Sequence, residues 1–232
     1  MSLKQILADN NIESRAIDNF QTYYEMLVDW NERVNLTAIT EEDDVAIKHF
    51  LDSLNAAKGM VKDGMKVIDV GTGAGFPGLP LKIYRSDLEV TLMDSLNKRI
   101  NFLNEVIDVL ALDGVETVHA RAEELGRDKK HREKYDICVS RAVANLASLT
   151  ELCMPFVKEG GYFISLKGPK AEEEVADAKK AIELLGGKFI EIKNYAIDET
   201  DLDHNLVIIK KVRPTEKRFP RNAPKPIKEP LK

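Results

Sequence analysis

The spacing of apolar residues predicts that the N-terminal part of the chain is helical. The apolar positions between residues 14 and 31 recur at helical intervals and are Ile17, Phe20, Tyr24, Leu27 and Val28. Ser14 stands where a helix N-cap is expected. A second helix is predicted over residues 41–58, with an apolar face of Val45, Phe50, Leu51 and Leu54. We therefore predict a helical N-terminal extension over residues 1–60.

From Lys66 onward the pattern changes to short apolar runs that alternate with longer amphipathic segments. The runs predict strands at residues 66–70, 89–94, 115–120, 135–140, 161–167, 188–197 and 205–212. Helices are predicted at residues 96–112, 145–156 and 170–185. Strands separated by such helices form βαβ units, so we predict a Rossmann-like α/β fold with a mostly parallel seven-stranded sheet and helices on both faces. The last two strands have no helix between them, so one of them is expected to run antiparallel.

The chain is thus predicted to consist of the N-terminal extension (1–60), an α/β core (61–212) and a tail (213–232). The tail holds five of the nine prolines and is expected to be extended. No apolar run in the sequence reaches ~18 residues, so we predict no transmembrane helix. The N-terminus lacks the apolar stretch of a secretory signal.

Cysteine and histidine usage favours a cytoplasmic protein without a structural metal. Cys138 and Cys153 lie in apolar surroundings and are expected to be buried free thiols. The four histidines are scattered, and no Cys/His cluster has zinc-ligand spacing. We expect a monomer that does not associate with membranes.

A glycine-rich loop follows the first predicted strand and precedes a helix expected to start near Pro77. Such a turn lies at the carboxyl ends of the strands, where α/β proteins bind ligands. Residues 73–78 match the dinucleotide pattern GxGxxG, whereas residues 71–75, preceded by Ile-Asp-Val, match the first motif of class I methyltransferases. We favour the methyltransferase register, because Pro77 removes a helix-start N–H that a pyrophosphate would use and S-adenosylmethionine does not need. Gly71, Gly73, Gly75 and Phe76 are the candidate cofactor-binding residues of this loop.

Two further positions can contact an adenosine moiety. Asp94 ends the second predicted strand, 23 residues after Gly71, and can accept hydrogen bonds from both ribose hydroxyls. It can instead cap the following helix. Backbone groups of Ala122 and Glu123, after the third strand, can contact the adenine edge, although Glu123 also suits the start of a helix.

The fourth strand ends in Ser140-Arg141-Ala142-Val143 and carries no recognisable catalytic motif. There is no Asn/Asp-Pro-Pro-aromatic sequence, and Cys138 lies in mid-strand without an adjoining proline, so we reject it as a nucleophile. Arg141 is a candidate to hold the cofactor carboxylate or a substrate group, or to pair with a nearby acid. Lys167, at the end of the fifth strand, can contact an RNA phosphate or a base carbonyl, or stay solvated.

The charge distribution indicates a polyanionic partner. The chain has a net charge of −5, but residues 210–232 contain nine basic and two acidic residues, +7, against −12 for residues 1–209. A solubilising terminus would have the same composition. The candidate RNA-binding residues of the tail are Arg213, Lys217, Arg218, Arg221 and Lys225.

Together these segments resemble the bacterial 16S rRNA guanine-N7 methyltransferases, the glucose-inhibited division protein B family. The matching segments are Trp30-Asn31, Asn35-Leu36-Thr37, residues 49–54, 69–78 and 94–99, Arg121-Ala122-Glu123, Ser140-Arg141-Ala142, Leu166-Lys167-Gly168 and Phe219-Pro220-Arg221. The resemblance implies cofactor contacts at Gly71, Phe76, Ala122, Glu123 and Arg141, with Asp94 near the ribose. It also implies 7-methylguanosine in the decoding-region loop of 16S rRNA as the product, in free rRNA, the 30S subunit or an assembly intermediate. The tail departs from the family pattern, since Pro224 takes the place of a glycine.

The implied reaction needs no general base, because guanine N7 carries a lone pair and no proton. Alignment of donor and acceptor would then supply most of the catalysis. Two alternatives remain at this point. One is a methyltransferase that acts on a protein or small molecule, and the other is a nucleotide-binding regulator or oxidoreductase that uses the GxGxxG register.

Overall fold

The computed structural model describes residues 1–55, 60–141, 144–195 and 204–232. The strands in these ranges are β1 (Lys66–Val70), β2 (Glu89–Asp94), β3 (Val115–His119), β4 (Tyr135–Arg141), β5 (Val157–Lys167), β6 (Gly187–Tyr195) and β7 (His204–Lys211). The α-helices are α1 (Leu3–Asp9), α2 (Ser14–Val34), α3 (Glu42–Val45), α4 (Asp52–Asn55), α5 (Gly78–Tyr84), α6 (Asn97–Val109), α7 (Ala122–Leu125), α8 (Leu146–Cys153), α9 (Ala171–Leu184) and α10 (Lys225–Lys228). A π-helical turn (Ala46–Leu51) joins α3 to α4, and a 3₁₀ turn (Met154–Phe156) follows α8.

The seven strands form one sheet in the order β3-β2-β1-β4-β5-β7-β6. Strands β1 to β5 run parallel to one another, and β7 is antiparallel to both β5 and β6. This arrangement confirms the predicted Rossmann-like α/β fold and the expectation that one of the last two strands is antiparallel; that strand is β7, which lies between β5 and the edge strand β6. The strand order reverses between β1 and β4, so the carboxyl ends of these strands form the crevice where ligands of such sheets bind.

Side chains that alternate along each strand divide the core into two layers. Val67 of β1 belongs to a buried cluster that includes residues of α1, α2, α5 and α6, whereas Ile68 belongs to a second cluster that includes residues of α8 and α9. The N-terminal helices therefore share a hydrophobic core with the sheet, through residues such as Phe20 and Phe50. Both cysteines are buried and free, as predicted.

The N-terminal helices differ in detail from the prediction. The helix over residues 1–10, α1, was not predicted; Leu3, Ile6 and Leu7 bury its apolar face. Ser14 lies inside α2 and does not cap it, since Glu13 occupies the N-cap position. The second predicted helix is a succession of α3, the π-helical turn and α4, and its last predicted residues, 56–58, lie outside the described residues.

The tail folds back along α8, so the expectation of an extended segment is wrong at its end. Phe219 is buried among core residues of the α8 side, and the Ser148 hydroxyl donates to the Pro226 carbonyl at 2.7 Å. Residues 225–228 form α10, in which Pro226 occupies the first turn, where a missing N–H costs no hydrogen bond. The tail is therefore tied to the α/β core from Thr215 to Pro226.

Candidate functional site

The glycine loop between β1 and α5 begins with backbone hydrogen bonds to the neighbouring strand. The N–H groups of Gly71 and Thr72 both donate to the carbonyl of Met93, at 2.9 and 3.0 Å. Gly71, Gly73 and Gly75 all have positive φ, between 62 and 102°, which favours glycine. At Gly73 a Cβ atom would meet nothing within 4 Å, so the loop leaves open space there that a ligand can approach closely.

Asp94, at the end of β2, holds the loop in place. One carboxylate oxygen accepts from the Gly73 N–H at 3.0 Å and from Arg99 Nη1 at 3.1 Å, and the other accepts from the Leu96 N–H at 2.9 Å. The carboxylate thus lies at the predicted position beside the glycine loop and also braces the start of α6. Because a carboxylate has about four acceptor positions, Asp94 retains capacity for a ribose hydroxyl.

A side chain from the N-terminal helices supports the loop from below. The Tyr23 hydroxyl of α2 donates to the Ala74 carbonyl, and the Tyr23 ring stacks on Phe76 with centroids 5.5 Å apart. A Cβ atom at Gly75 would lie 2.4 Å from the Tyr23 hydroxyl, so only glycine fits this position. The N-terminal helices are therefore part of the candidate site.

A buried carboxylate fixes the other end of the loop. Asp69 Oδ2 accepts from the Thr72 hydroxyl at 2.7 Å and from the Gly78 N–H at 2.8 Å. Burial raises the pKa of Asp69 to about 6, against the opposing effect of these two hydrogen bonds. Asp69 consequently closes the loop onto the start of α5.

Arg141 lies at the carboxyl end of β4 with its guanidinium 5.0 Å above the ring of Phe76. Its Nη1 donates to the Lys48 carbonyl at 3.1 Å and to Asp52 Oδ2 at 3.0 Å. Arg141 therefore makes the ion pair with a nearby acid that the sequence left open, and it does so at the rim of the glycine loop. The neighbouring Ala142 of the sequence motif lies outside the described residues.

His49, in the π-helical turn, is held as a neutral ring between Arg141 and Phe76. Arg141 Nη2 lies 3.2 Å from His49 Nδ1, and His49 Nε2 lies 2.8 Å from the Thr37 hydroxyl. Arginine can only donate, so the contact with Arg141 requires the tautomer with the proton on Nε2, and in that tautomer the 3.2 Å approach of Nδ1 to the Lys48 carbonyl is not a hydrogen bond. Burial, together with the Arg141 charge, lowers the pKa of His49 to about 4.

The glycine loop, Phe76, His49 and Arg141 line a cleft of about 360 Å³ at the carboxyl edge of the sheet, whereas Tyr23, Asp69 and Asp94 lie behind its walls. Its walls are Leu36, Thr37, His49, Gly71, Thr72, Gly73, Ala74, Phe76, Arg99 and Arg141. The volume lies within the range of small-molecule pockets, about 300–1,000 Å³. An arginine that can pair with a carboxylate and open space at Gly73 fit the S-adenosylmethionine that the loop motif predicts, and the buried Asp94 lies directly behind Gly73.

Ala122 and Glu123 form the first turn of α7, directly after β3. The first N–H groups of a helix have no acceptor within the helix, so they are available to an adenine edge. Ala120, just before α7, donates its N–H to the Asp94 carbonyl at 3.2 Å. This hydrogen bond places the start of α7 next to the end of β2, as the cofactor prediction requires.

The candidate RNA-binding residues are not brought together in the cleft. Lys167 is largely buried, and its ammonium lies 2.7 Å from Glu174 and 2.6 Å from the Ala144 carbonyl. Arg221 is ion-paired with Glu151 on α8. The other four tail candidates are exposed, namely Arg213, Lys217, Arg218 and Lys225.

Four side chains of the site had no role assigned from the sequence. Tyr23 was not singled out, Asp69 stood in the loop motif without a role of its own, and His49 and Asp52 entered only within a segment of the family resemblance. Tyr23 lies three residues after Phe20 and four before Leu27, so the helical spacing contained a signal for its burial. Nothing in the sequence pattern pairs Asp52 with Arg141, which lies 89 residues away.

No helix among the described residues is long and apolar enough to cross a membrane. Within the same residues, no group of three or more His, Cys, Asp or Glu side chains is arranged to hold a metal ion. The candidate site therefore consists of the glycine loop, the Arg99–Asp94 and Arg141–Asp52 ion pairs and the aromatic ring of Phe76.

Comparisons with known proteins agree with this geometry. The sequence model of the family described as rRNA small subunit methyltransferase G matches residues 16–203. Proteins named ribosomal RNA small subunit methyltransferase G from Clostridium perfringens (strain SM101) and Clostridium novyi (strain NT) are 56% and 50% identical to the chain. The alignments cover 92% and 96% of this chain and 90% and 92% of those proteins.

Two solved structures share the fold at low sequence identity. M. jannaschii TYW2 in complex with AdoMet has a TM-score of 0.56 and 18% identity, over 71% of this chain and 76% of that one. A putative methyltransferase complex with the Trm112 activator from Haloferax volcanii has a TM-score of 0.60 and 14% identity, over 81% and 98%. At these identities the likeness concerns the fold alone.

Proposed function

The chain belongs to the rRNA small subunit methyltransferase G family, and from this premise we propose that it transfers a methyl group from S-adenosylmethionine to N7 of a guanine in the decoding-region loop of 16S rRNA. The observation that carries the proposal is the cleft lined by the glycine loop and Arg141, with Asp94 hydrogen-bonded to the Gly73 N–H directly behind the loop. Family membership also decides between the two registers of the glycine loop in favour of the methyltransferase motif.

The cofactor would lie along the carboxyl edge of β1, β2 and β4. Gly71 and Gly73 would let the backbone approach it, and Phe76 and Arg141 would form the wall at the end that receives its carboxylate. Gly75 does not line the cleft and instead makes room for the Tyr23 hydroxyl against the loop. Asp94 would accept from the ribose, and the N–H groups of Ala122 and Glu123 would contact the adenine edge. When bound, S-adenosylmethionine supplies an electrophilic methyl group on a sulfonium.

The side chains of the cleft suit a reaction without proton removal. The titratable residues among its lining are His49, Arg99 and Arg141, and none of them is free to act as a base at neutral pH. His49 Nδ1 accepts from Arg141, and the low pKa of about 4 makes the ring a weak base. The cleft would therefore orient guanine N7 toward the methyl group and exclude water.

The charges of the cleft also suit a product base that becomes cationic. Arg99 is paired with Asp94, and Arg141 is paired with Asp52, so each guanidinium is balanced by a buried carboxylate. Unpaired cations would repel 7-methylguanosine. Because both guanidinium groups are paired with carboxylates, they can donate hydrogen bonds in the cleft while their positive charges are balanced.

For the RNA, the exposed tail residues Arg213, Lys217, Arg218 and Lys225 are the candidates for phosphate contacts. Lys167 and Arg221 are already paired with Glu174 and Glu151, so they would contact RNA only by giving up an ion pair. We propose that the partner is 16S rRNA or a small-subunit particle and that the enzyme acts as a monomer in the cytoplasm.

Methyl transfer from tritiated S-adenosylmethionine tests the proposal. Ribosomal RNA from a strain that lacks this modification should be labelled, and nucleoside analysis should identify 7-methylguanosine. RNA from already modified ribosomes serves as the control and should stay unlabelled. Label in protein, in a small molecule or in another nucleoside would contradict the proposed substrate.

A further inference from the structure

Asp52, at the start of α4, accepts hydrogen bonds from side chains of three separate segments. Its Oδ2 accepts from Arg141 Nη1 at 3.0 Å. Its Oδ1 lies 2.9 Å from His204 Nδ1 and accepts from the Tyr195 hydroxyl. The residue is only 2% exposed, so these contacts replace its hydration.

The carboxylate is stabilised in its ionised form despite this burial. Burial by itself raises the pKa of Asp52, but the hydrogen bond from His204, the Arg141 charge and the hydrogen bond from Tyr195 outweigh it and lower the pKa below the usual value. A charged acceptor therefore faces Arg141 throughout the neutral range, and charge-assisted hydrogen bonds are the stronger ones.

Asp52 joins the cleft to a part of the sheet that does not line it. Tyr195 is the last residue of β6 and His204 is the first residue of β7, on the far side of β5 from Arg141. Neither residue belongs to the lining of the cleft. Their contacts with Asp52 set the position of the carboxylate, and Asp52 in turn contacts the guanidinium that lies over Phe76.

Arginine needs such a partner, because its long side chain has many rotamers and its planar fork acts only when it is oriented. The Lys48 carbonyl and His49 Nδ1 are the other two contacts of the Arg141 fork. Both are neutral acceptors, so Asp52 supplies the charged contact.

We propose, on the basis of the proposed function, that Asp52 is a positioning residue for cofactor binding. It fixes the Arg141 guanidinium over Phe76 for the carboxylate of S-adenosylmethionine, and Tyr195 and His204 hold Asp52 in place. Asp52 itself does not contact the cofactor. Its effect must therefore depend on Arg141.

The test compares Asp52→Asn, Arg141→Lys and the double variant by calorimetry with S-adenosylhomocysteine. Asp52→Asn keeps the volume but loses the charge, and we expect its Kd to rise about tenfold, as for the loss of one charge-assisted hydrogen bond. The double variant should bind no more weakly than Arg141→Lys alone, because the two residues act as one unit. In methyl transfer, the KM for S-adenosylmethionine should rise while kcat at saturation changes little.

Glu151→Gln is the matched control. Glu151 is also a buried carboxylate paired with an arginine, but it lies on α8, outside the cleft. This variant should lose stability and bind S-adenosylhomocysteine within about twofold of the wild type, since it removes no contact of the cleft. Tyr195→Phe is the second variant; it removes one donor to Asp52 without unpairing a charge and should raise the Kd by a smaller factor.

The proposal is overturned if Asp52→Asn binds S-adenosylhomocysteine like the wild type, or if its loss adds in full to that of Arg141→Lys. If Asp52→Asn does not fold by circular dichroism, Tyr195→Phe decides, and an unchanged Kd in that variant rejects the proposal. Failure of the wild type to bind S-adenosylhomocysteine would instead reject the proposed function. The two failures are thus distinguishable.

Discussion

Replacement of Arg221 by Gln should lower the free energy of unfolding of the protein, and not only weaken RNA binding. The Arg221 side chain makes three contacts of 2.7–3.1 Å with Glu151, and its Nη2 also donates to the Glu229 carbonyl. The Glu151 side chain is 1% exposed and that of Arg221 is 23% exposed. Removing one partner of a buried pair costs about 3–5 kcal/mol, and the partial exposure of Arg221 favours the lower end, about 3 kcal/mol.

Urea unfolding followed by circular dichroism measures this loss. With a urea m-value of about 2 kcal/mol/M, the midpoint should fall by roughly 1.5 M. The double variant Glu151→Gln/Arg221→Gln should recover part of the stability, since it leaves no buried charge unpaired. Protease should also cleave the tail of the single variant faster.

Arg218→Gln provides the control, because Arg218 pairs with Glu216 at the surface, where both side chains are about half or more exposed. Its effect should stay within about 0.5 kcal/mol. A loss below about 1 kcal/mol for Arg221→Gln would refute the conclusion that this arginine clamps the tail, and it would return Arg221 to the RNA-binding candidates.

Four further predictions concern the cleft and the basic tail. Asp94→Asn should weaken S-adenosylhomocysteine binding about tenfold or more by calorimetry, since each charge-assisted hydrogen bond is worth roughly 1.5–3 kcal/mol; unchanged binding would reject the ribose contact. Single-turnover methyl transfer should vary little between about pH 6.5 and 9, whereas a tenfold rise per pH unit would reveal a general base. The pKa of His49 is lowered to about 4 in the folded state, so its contribution to stability is present above about pH 6.5 and lost as the pH falls toward 4. The wild type should therefore lose roughly 3 kcal/mol relative to His49→Gln between pH 7 and pH 4 in denaturant titrations, and parallel pH curves would contradict this assignment. Changing Lys217, Lys225 and Lys228 to Gln should flatten the slope of log RNA affinity against log salt by about two to three units, with S-adenosylhomocysteine binding unchanged; an unaltered slope would mean that the tail is only a solubilising terminus.

The strands and the glycine loop were predictable because their signals are local. β1 and β2 have the predicted bounds, since each is a short apolar run that ends at the residues used by the site. Asp94 lies beside the loop because adjacent parallel strands end at the same edge of the sheet. For these strands and this loop, the local sequence pattern is therefore sufficient to predict where the residues lie in the fold.

Tyr23 and the π-helical turn show where the pattern fails. The apolar spacing of α2 pointed to Tyr24, yet Tyr23 is fully buried and Tyr24 is half-buried. The position of the helix against the loop, and not its periodicity, determines which tyrosine donates to Ala74. The π-helical turn adds a residue to one turn and so re-aims His49, which a pattern based on 3.6 residues per turn cannot represent.

The basic tail illustrates why charge counts do not identify a binding surface. The cluster of nine basic residues in 23 positions led to one hypothesis, RNA binding, for the whole tail. In the structure some of these residues are buried and others are exposed. Lys211 is fully buried, within 3.1 Å of Glu133, and Arg221 is clamped on Glu151, whereas Lys217, Lys225 and Lys228 are exposed. Only a tertiary contact distinguishes an arginine that stabilises the fold from a lysine that can meet a phosphate.

The N-terminal helices and the C-terminal tail therefore have different structural roles. The N-terminal helices complete the proposed cofactor cleft, because Tyr23 supports the glycine loop and His49 and Asp52 contact Arg141. The tail instead covers α8, on the other face of the sheet, and contributes no residue to the lining of the cleft in the part of the chain described. Changes in the N-terminal helices should accordingly alter cofactor affinity, whereas changes in the tail should alter stability or RNA affinity and leave cofactor affinity intact. This separation follows from the two-layered core, since Val67 of β1 belongs to the buried cluster that includes the N-terminal helices, whereas Ile68 belongs to the cluster that includes Phe219 of the tail.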